Sequence, residues 1–432
     1  MTKNNHIEWL ESLRKGGQSA SCIDLFAGAG GLSEGFRLAG FHVLAANDFD
    51  THCAATFRAN NPSVPFFLQP IERLYPEDIL RAARMRPGEV DCIIGGPPCQ
   101  AFSVYNHQRG MHDERSGLFR EYLRIVAGIM PRFVVMENVP GMSSVEGGRA
   151  IKEITSGLSS LGYTVENKIL KAEEFGVPQE RRRMFFVGTL GPRFVWPRPT
   201  HGGSLAPFVT VEDAIGDLPE LRNAEGVEES IHGQPALSSY QAFLRNASPA
   251  LFNHVAPSLS KINLDRMCFI PPGGSWRDIP VELLPTGMKR ARRCDHTKRY
   301  GRLHPDGLAC TILTKCDPHW GAFFHYSQDR SITVREAARL QSFPDSFRFC
   351  GPKVEQYRQV GNAVPVILAA AVAANVLFAL CKDEEAMRVA HQSLRSNLRN
   401  PWRTGSPDDQ PGQCRLSMPL HQLHLRQKKS EL

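Results

Sequence analysis

Residues Asp91 to Ser103, DCIIGGPPCQAFS, leave the backbone little choice. The apolar run Cys92, Ile93 and Ile94 predicts a short buried strand, and two glycines and two prolines stop it before Cys99. Pro97 and Pro98 have a locked φ and donate no backbone hydrogen bond, so they hold the cysteine at a strand end without pairing it into a ladder. In open α/β sheets the loops leaving the carboxyl ends of the strands frame the ligand crevice. A cysteine taken alone is more often an inert core residue than a nucleophile. Here the setting makes Cys99 a candidate nucleophile, and the choice rests on what the rest of the chain brings to the same edge.

Other segments repeat the pattern of a strand that ends in a polar group. Ser21 to Gly40 reads as strand, glycine-rich turn and helix, with Leu32, Phe36 and Ala39 on one helical face and Gly40 as a stop. Gly28, Gly30 and Gly31 allow close backbone approach to a ligand, although the dinucleotide fingerprint GxGxxG fails because Ser33 stands where the third glycine belongs. The next strand, FHVLAAND, ends in Asp48, placed to accept from ribose hydroxyls or simply to be solvated. Val64 to Leu68 predicts a third strand and Pro76 to Met85 a helix. Phe133 to Met136 predicts another strand, ending in Glu137, which either caps a following helix or shares the edge with Cys99. Between these, VYNHQRGMHDERSG reads as a mobile loop over a site or a plain connector, followed by a helix carrying Leu118, Tyr122, Ile125 and Ile129.

Beyond a helix near Ala150 to Leu161, Gln179, Arg181 and Arg183 alternate before an apolar strand. They fall on one face, as a fork for anionic or carbonyl oxygens or as edge-strand charges. From Leu190 to about His325, frequent Pro and Gly with short apolar runs predict a second domain of β and irregular structure. Within it, Gly287 to Arg302 carries seven Lys or Arg against one Asp, suiting a phosphate backbone or a basic surface loop. Thr333 to Glu336 is a capping box, and Ile367 to Leu380 predicts an apolar helix returning to the first sheet. Residues 386–432 hold eight Lys or Arg against three Asp or Glu with sparse apolar residues, and read as a tail, disordered by composition.

Composition narrows the setting. Eleven cysteines with no CxxC pair argue for reduced thiols rather than a disulfide framework or a zinc site, so no metal is expected. No run of about 18 apolar residues is read in the chain, so no membrane span is expected, and the polar start lacks the core of a secretory signal. The net charge of +7 permits a polyanionic partner without requiring one.

A thiolate, a carboxylic acid and an arginine beside a nucleotide-like cofactor can carry out one reaction well. Carbon 6 of cytosine accepts a nucleophile when ring nitrogen 3 is protonated and the carbonyl at position 2 is held by a cation, and carbon 5 then takes an electrophile. A base inside a duplex must first be flipped out. DLFAGAGGLSEGF, GGPPCQAFS, MENVPG, QERRRMFFVG, SITVREAARLQSFPD and RQVGNAVP, in that order over about residues 22 to 380, resemble the motif set of the cytosine-5 DNA methyltransferases. The resemblance implies a Rossmann-like α/β domain dependent on S-adenosylmethionine, with a smaller, mostly β or irregular target-recognition domain. The organisation expected is an extension over 1–20, a catalytic domain over 21–190, target recognition over 191–328, a return segment over 329–385 and the tail.

By the same resemblance, Cys99 would be the nucleophile, supported by Pro98, and Glu137 the acid at nitrogen 3, with Arg181 and Arg183 contacting the flipped base and orienting neighbouring groups. Phe26, Gly28, Gly30 and Leu32 would line the methionine side of the cofactor, Asp48 would take the ribose hydroxyls, and Phe49 would lie on the adenine. Asn362 and Val364 would complete that pocket. Gln100, Ser103, Gln179, Lys289, Arg290, Arg292 and Arg293 would contact nucleic acid. Gln69-Pro70-Ile71 departs from the family, which often has an acid and an isoleucine there to meet the adenine amino group. The expected setting is a monomeric bacterial or phage modification enzyme, cytoplasmic and nucleoid-associated, acting on double-stranded DNA with a possible cognate restriction endonuclease. Structured RNA is the rival substrate, although the Cys-Phe-Thr tripeptide of the transfer-RNA branch is missing. A catalytically silent DNA-binding regulator of the same fold is the other rival, disfavoured by intact Cys99, Glu137, Arg181 and Arg183.

Overall fold

The computed structural model describes residues 19–98, 117–144, 148–191, 193–246, 248–292 and 294–398, with side chains described to Lys382. Seven strands form the main sheet: β1 (Ala20–Leu25), β2 (Phe41–Asp48), β3 (Phe66–Leu68), β4 (Cys92–Gly95), β5 (Phe133–Asn138), β6 (Thr164–Lys171) and β7 (Arg182–Thr189). Their order is β3-β2-β1-β4-β5-β7-β6, and β7 runs antiparallel to both of its neighbours while the other pairings are parallel. The order reverses between β1 and β4, the switch point at which such sheets open a crevice for ligands.

Burial on both faces explains the short, uninterrupted apolar strands. Cys22, Cys92, Phe133 and Val135 face one core, and Ile23, Ile93, Val134 and Met136 face the other. Helix α1 (Gly31–Leu38) and the first part of a long helix, Val366–Leu398, cover the first face. The helices Pro76–Ala83, Leu118–Ile129 and Arg149–Ser160 cover the second. The return of the chain to the first sheet therefore occurs where the apolar pattern places it. The helix itself continues past the expected end at Leu380, through part of the stretch read as a tail.

An 18-residue window within Lys353–Lys382 has a mean hydropathy of 2.4, which by length and composition is enough to cross a membrane. Pro365 and Asn375 interrupt this stretch, yet its mean stays high because Val, Ile, Leu and Ala fill most of the other positions. The window is 83% buried inside the protein, so its apolar surface is already consumed by the core.

Apolar residues between Phe194 and Leu251 belong to the first core, together with Ile332 to Leu380. A separate cluster of Met267, Ile270, Trp276, Ile279, Met288, Tyr300 and Phe324 gives residues 267–324 a small core of their own. Two short strands, β8 (Gly226–Ile231) and β9 (Ala250–Val255), pair antiparallel, while β10 (Gly301–Arg302) and β11 (Ala322–Phe324) pair in parallel.

Candidate active site

Strands β4 and β5 are parallel neighbours with Gly95 opposite Met136, so the chain leaves both at the same edge. The next residue on each side is Gly96 and Glu137. A Cβ on Gly96 would lie 2.9 Å from Glu137 Oε2, so the absence of a side chain is what lets the proline loop pass over the carboxylate. Asn138 Nδ2 donates to the Pro97 carbonyl at 3.1 Å and ties that loop to the end of β5. Pro98 is half-buried. Cys99, Gln100 and Ser103 lie outside the described residues, as does the segment read as a loop over the site.

Antiparallel pairing of β5 with β7 sets Asn138 against Met184 and so brings Arg183 beside Glu137. Arg183 Nε and Glu137 Oε1 are 2.7 Å apart, with side chains about a tenth exposed. Burial holds the Glu137 carboxyl above its ordinary range, while the charges of Arg183 and Arg181 and the Arg183 hydrogen bond pull the other way. A buried carboxyl that keeps its proton beyond the usual range, next to a guanidinium, is suited to delivering that proton.

Gln179 and Arg181 face elsewhere. Arg181 is buried, and its guanidinium donates to the carbonyls of Ile312 at 2.9 Å, Gly361 at 2.7 Å and Ala363 at 2.9 Å. Gln179 is fully buried, donates to the Leu340 carbonyl at 3.0 Å and accepts from the Ile312 amide at 2.9 Å. These contacts bury Gln179, expected to meet nucleic acid, and Arg181, expected on the base and orienting its neighbours, against Ile312 and the return segment. The alternation was right, but the pair clamps the return segment, and of the three only Arg183 joins Glu137.

The glycine-rich turn after β1 lies across the sheet's switch point. Phe26, Gly28 and Gly30 all have positive φ, at 57°, 55° and 99°. For Phe26 this conformation is strained, and such strain persists where the surroundings enforce it. A Cβ on Gly28 would meet nothing within 4 Å, so open space lies beside the turn. Asp48 Oδ2 accepts from the Gly28 amide at 2.8 Å and its Oδ1 from the Asp50 amide at 2.9 Å, while burial raises its pKa. Phe49 beside it is 64% exposed, so its ring face is open next to Asp48. A Cβ on Gly31 would sit 2.9 Å from the Val364 carbonyl, so the return segment packs on this turn. Leu32 and Val364 are buried and Asn362 is exposed. Gln69 Nε2 donates to the Arg73 carbonyl at 3.3 Å.

Over residues 20–377 the chain matches the family model described as C-5 cytosine-specific DNA methylase. The chain belongs to the cytosine-5 DNA methyltransferase family. It is similar to the type II methyltransferase M.AgeI of Thalassovita gelatinovora, 34% identical over 83% of this chain and 99% of that protein. With M1.HphI of Haemophilus parahaemolyticus, also a type II methyltransferase, it shares 38% identity over 83% of this chain and 87% of that protein. Among solved structures it resembles a protein assigned as a DNA modification methyltransferase encoded within an E. coli prophage. The TM-score is 0.66 with 27% identity, covering 84% of this chain and 99% of the other. The enzyme is thus a DNA cytosine-5 methyltransferase with DNA as substrate and S-adenosylmethionine as methyl donor, and its α/β sheet is the Rossmann-like core of that family.

Sequence reasoning missed three residues of this cytosine-5 methyltransferase site. Asn138 and Gly96 position the loop that carries Cys99, and the signal was available in Asn138 following Glu137 and in the doubled glycine. Ser33 is the third: its Oγ donates to the buried Asp24 Oδ2 at 2.6 Å, which accounts for a serine where a dinucleotide fold has glycine. Lys289, Arg290 and Arg292 are exposed, with Arg292 paired to Asp295 at 3.2 Å, and Arg293 lies outside the described residues.

Proposed function

We propose that this enzyme methylates carbon 5 of a flipped-out cytosine within a specific double-stranded DNA sequence by covalent catalysis through Cys99. The observation that carries the reading is the Glu137–Arg183 pair beneath the Gly96–Pro97–Pro98 loop, because it puts a proton donor and a fixed cation where the next residue is a cysteine. The Cys99 thiolate forms a bond to carbon 6 as Glu137 delivers its proton to ring nitrogen 3, and Arg183 holds the carbonyl at position 2. S-adenosylmethionine, when bound, supplies an activated methyl group. Once carbon 5 is methylated, a base takes its proton, the bond from sulfur to carbon 6 breaks, and Glu137 recovers the proton from nitrogen 3. The residues contribute placement and charge, which are the protein's part in a cofactor reaction.

We assign the cofactor cradle to Phe26, Gly28, Gly30, Leu32, Asp48, Phe49, Asn362 and Val364. The open space at Gly28, the inward-held Asp48 and the bare Phe49 ring support that assignment. Residues 191–328 would recognise the target, and 21–190 with 329–385 would form the catalytic body. Acting as a monomer in the bacterial cytoplasm at the nucleoid, the enzyme would protect sites cut by a cognate restriction endonuclease.

The test is transfer of labelled methyl from S-adenosylmethionine to unmethylated duplex DNA and to transfer RNA, followed by bisulfite sequencing of the DNA. Label on carbon 5 of cytosine in one recurring context is the expected result. Label confined to RNA, or none with cofactor still bound, would overturn the reading.

A further inference from the structure

One exposed aromatic ring stands apart from the catalytic edge. Trp320 is 52% exposed, although a tryptophan left in water forfeits a large apolar burial. It is rigidly mounted. Its ring meets the edge of His319 with centroids 5.0 Å apart, and His319 in turn meets Tyr300 at 5.6 Å. Tyr300 Oη and His319 Nδ1 are 3.1 Å apart. The Arg299 guanidinium lies 4.9 Å from the Trp320 centroid, and that of Arg266 lies 5.4 Å from the Tyr300 centroid. The Arg299 carbonyl accepts from the Trp276 amide at 3.0 Å, and the Asp317 carboxylate accepts from the His319 amide at 2.8 Å, so both chain segments are pinned.

The fold fixes this ladder relative to the catalytic edge. Arg299 and Trp320 each precede by two residues a partner in the parallel pair Gly301↔Ala322, so they emerge side by side at one end of it. The Ala322 carbonyl accepts from Cys310 Sγ at 3.8 Å. Beside Cys310, the Ala309 backbone bonds to Pro178 and Glu180, and two residues on Ile312 bonds to Gln179 and Arg181, the clamp that leads into Arg183. A short run of packed residues thus joins Trp320 to the arginine beside Glu137. The two segments that carry the ladder, residues 298–300 and 315–320, hold Lys298, Arg299 and Lys315 against one carboxylate, Asp317, a balance that favours a polyanion over an acidic or neutral protein surface. An uncharged indole gains nothing from phosphate. The large flat apolar surface that a polyanion of this kind offers is a nucleobase, and in a duplex its face is uncovered where the neighbouring base has been flipped out.

We infer that Trp320, with Arg299 stacked on it, is a specificity-determining residue that lies against a base of the target DNA beside the recognised cytosine, while Lys298 and Arg299 hold the flanking phosphates. The inference rests on the reading of this enzyme as a duplex-DNA cytosine methyltransferase and adds the residue that reads its sequence context.

Trp320→Ala, Trp320→Phe and Arg299→Gln are compared with the unaltered enzyme for KM toward duplex DNA, kcat, cofactor Kd and the bisulfite-defined context. Trp320→Ala is expected to raise KM for DNA about tenfold, the scale of one lost base–aromatic contact, and to relax one position of the context. Its kcat and cofactor Kd stay within about twofold, and Trp320→Phe recovers most of the loss. Arg299→Gln keeps the ring and is expected to raise KM with a reduced salt dependence and an unchanged context. Unaltered KM and context in Trp320→Ala would overturn the inference, as would a loss of cofactor binding in step with DNA binding. Failure of the unaltered enzyme to label duplex DNA would instead break the functional reading.

Discussion

Glu137 and Glu336 are both buried glutamates facing arginines, and their carboxyls are driven in opposite directions. Glu336 is gripped bidentately by Arg330 at 2.8 and 2.6 Å, accepts from the Thr333 amide at 2.7 Å, and has His325 Nε2 at 3.6 Å. Burial alone would raise its pKa, but the charge and hydrogen bonds of Arg330, helped by His325 and His254, hold it well below the usual carboxylate range. Among the described residues Glu137 has a single ion pair, to Arg183, and there burial wins. The number of donors aimed at each carboxylate decides whether a buried glutamate is a permanent anion that fixes a helix or an acid with a proton to give.

The sharpest way to break this contrast is to remove both carboxylates in turn. Glu137→Gln is expected to lower kcat about 10²–10⁴-fold, the range of a lost general acid, with the melting temperature nearly unchanged. Glu336→Gln is expected to do the reverse. It leaves the guanidinium of Arg330, itself fully buried, without its counter-charge and should cost about 3–5 kcal/mol in denaturant unfolding, while folded enzyme keeps its kcat. Equal effects of the two substitutions on stability would show that the glutamates play one role.

A smaller change sharpens the same comparison. Gly96→Ala places a methyl 2.9 Å from Glu137 Oε2, so the carboxylate or the proline loop must shift. Misplacement on this scale is expected to lower kcat about tenfold or more, with less effect on KM for DNA. An unchanged kcat would mean that the loop and the acid do not depend on their mutual fit.

Much of this was legible in the residues. Apolar triplets ending in Gly-Gly-Pro-Pro or Glu-Asn announce buried strands with functional ends, because burial on both faces removes alternation and only the exit is polar. The capping box at Thr333 and Glu336 also forms, with the Thr333 side chain accepting from the Glu336 amide. Sequence could not say that Glu336 belongs to a buried ion pair as well, nor that Gln179 and Arg181 point into Ile312, Gly361 and Ala363, more than 130 residues away. Alternation gives the side of a strand and not what lies across it. The helix Lys353–Asn362 escaped for a related reason: it has few apolar residues, since polar side chains such as Gln356 and Gln359 fill its buried positions.

Asp24 extends the contrast to a carboxyl whose donor residue, Ser33, carries no charge. It is buried in β1 and accepts from Ser33 Oγ at 2.6 Å on one oxygen, while the other has no hydrogen-bond partner. Burial outweighs the Ser33 hydrogen bond and pushes its pKa up to about 7. A carboxyl whose folded pKa is raised lends stability that is complete below its unfolded pKa and is lost as pH rises through the folded value. Asp24 should therefore make the fold less stable between about pH 4 and pH 8 as pH increases, whereas Glu336, depressed in the fold, adds stability above the ordinary carboxylate range that disappears on acidification. Asp24→Asn copies the protonated form and should flatten the alkaline side of the profile, so that the variant loses less stability than the unaltered enzyme between pH 6 and pH 8, by about 1 kcal/mol. Urea unfolding at a series of pH values reads this directly. A parallel decline in both proteins would mean that Asp24 is already ionised at neutral pH, and that one hydroxyl suffices to hold a buried carboxylate.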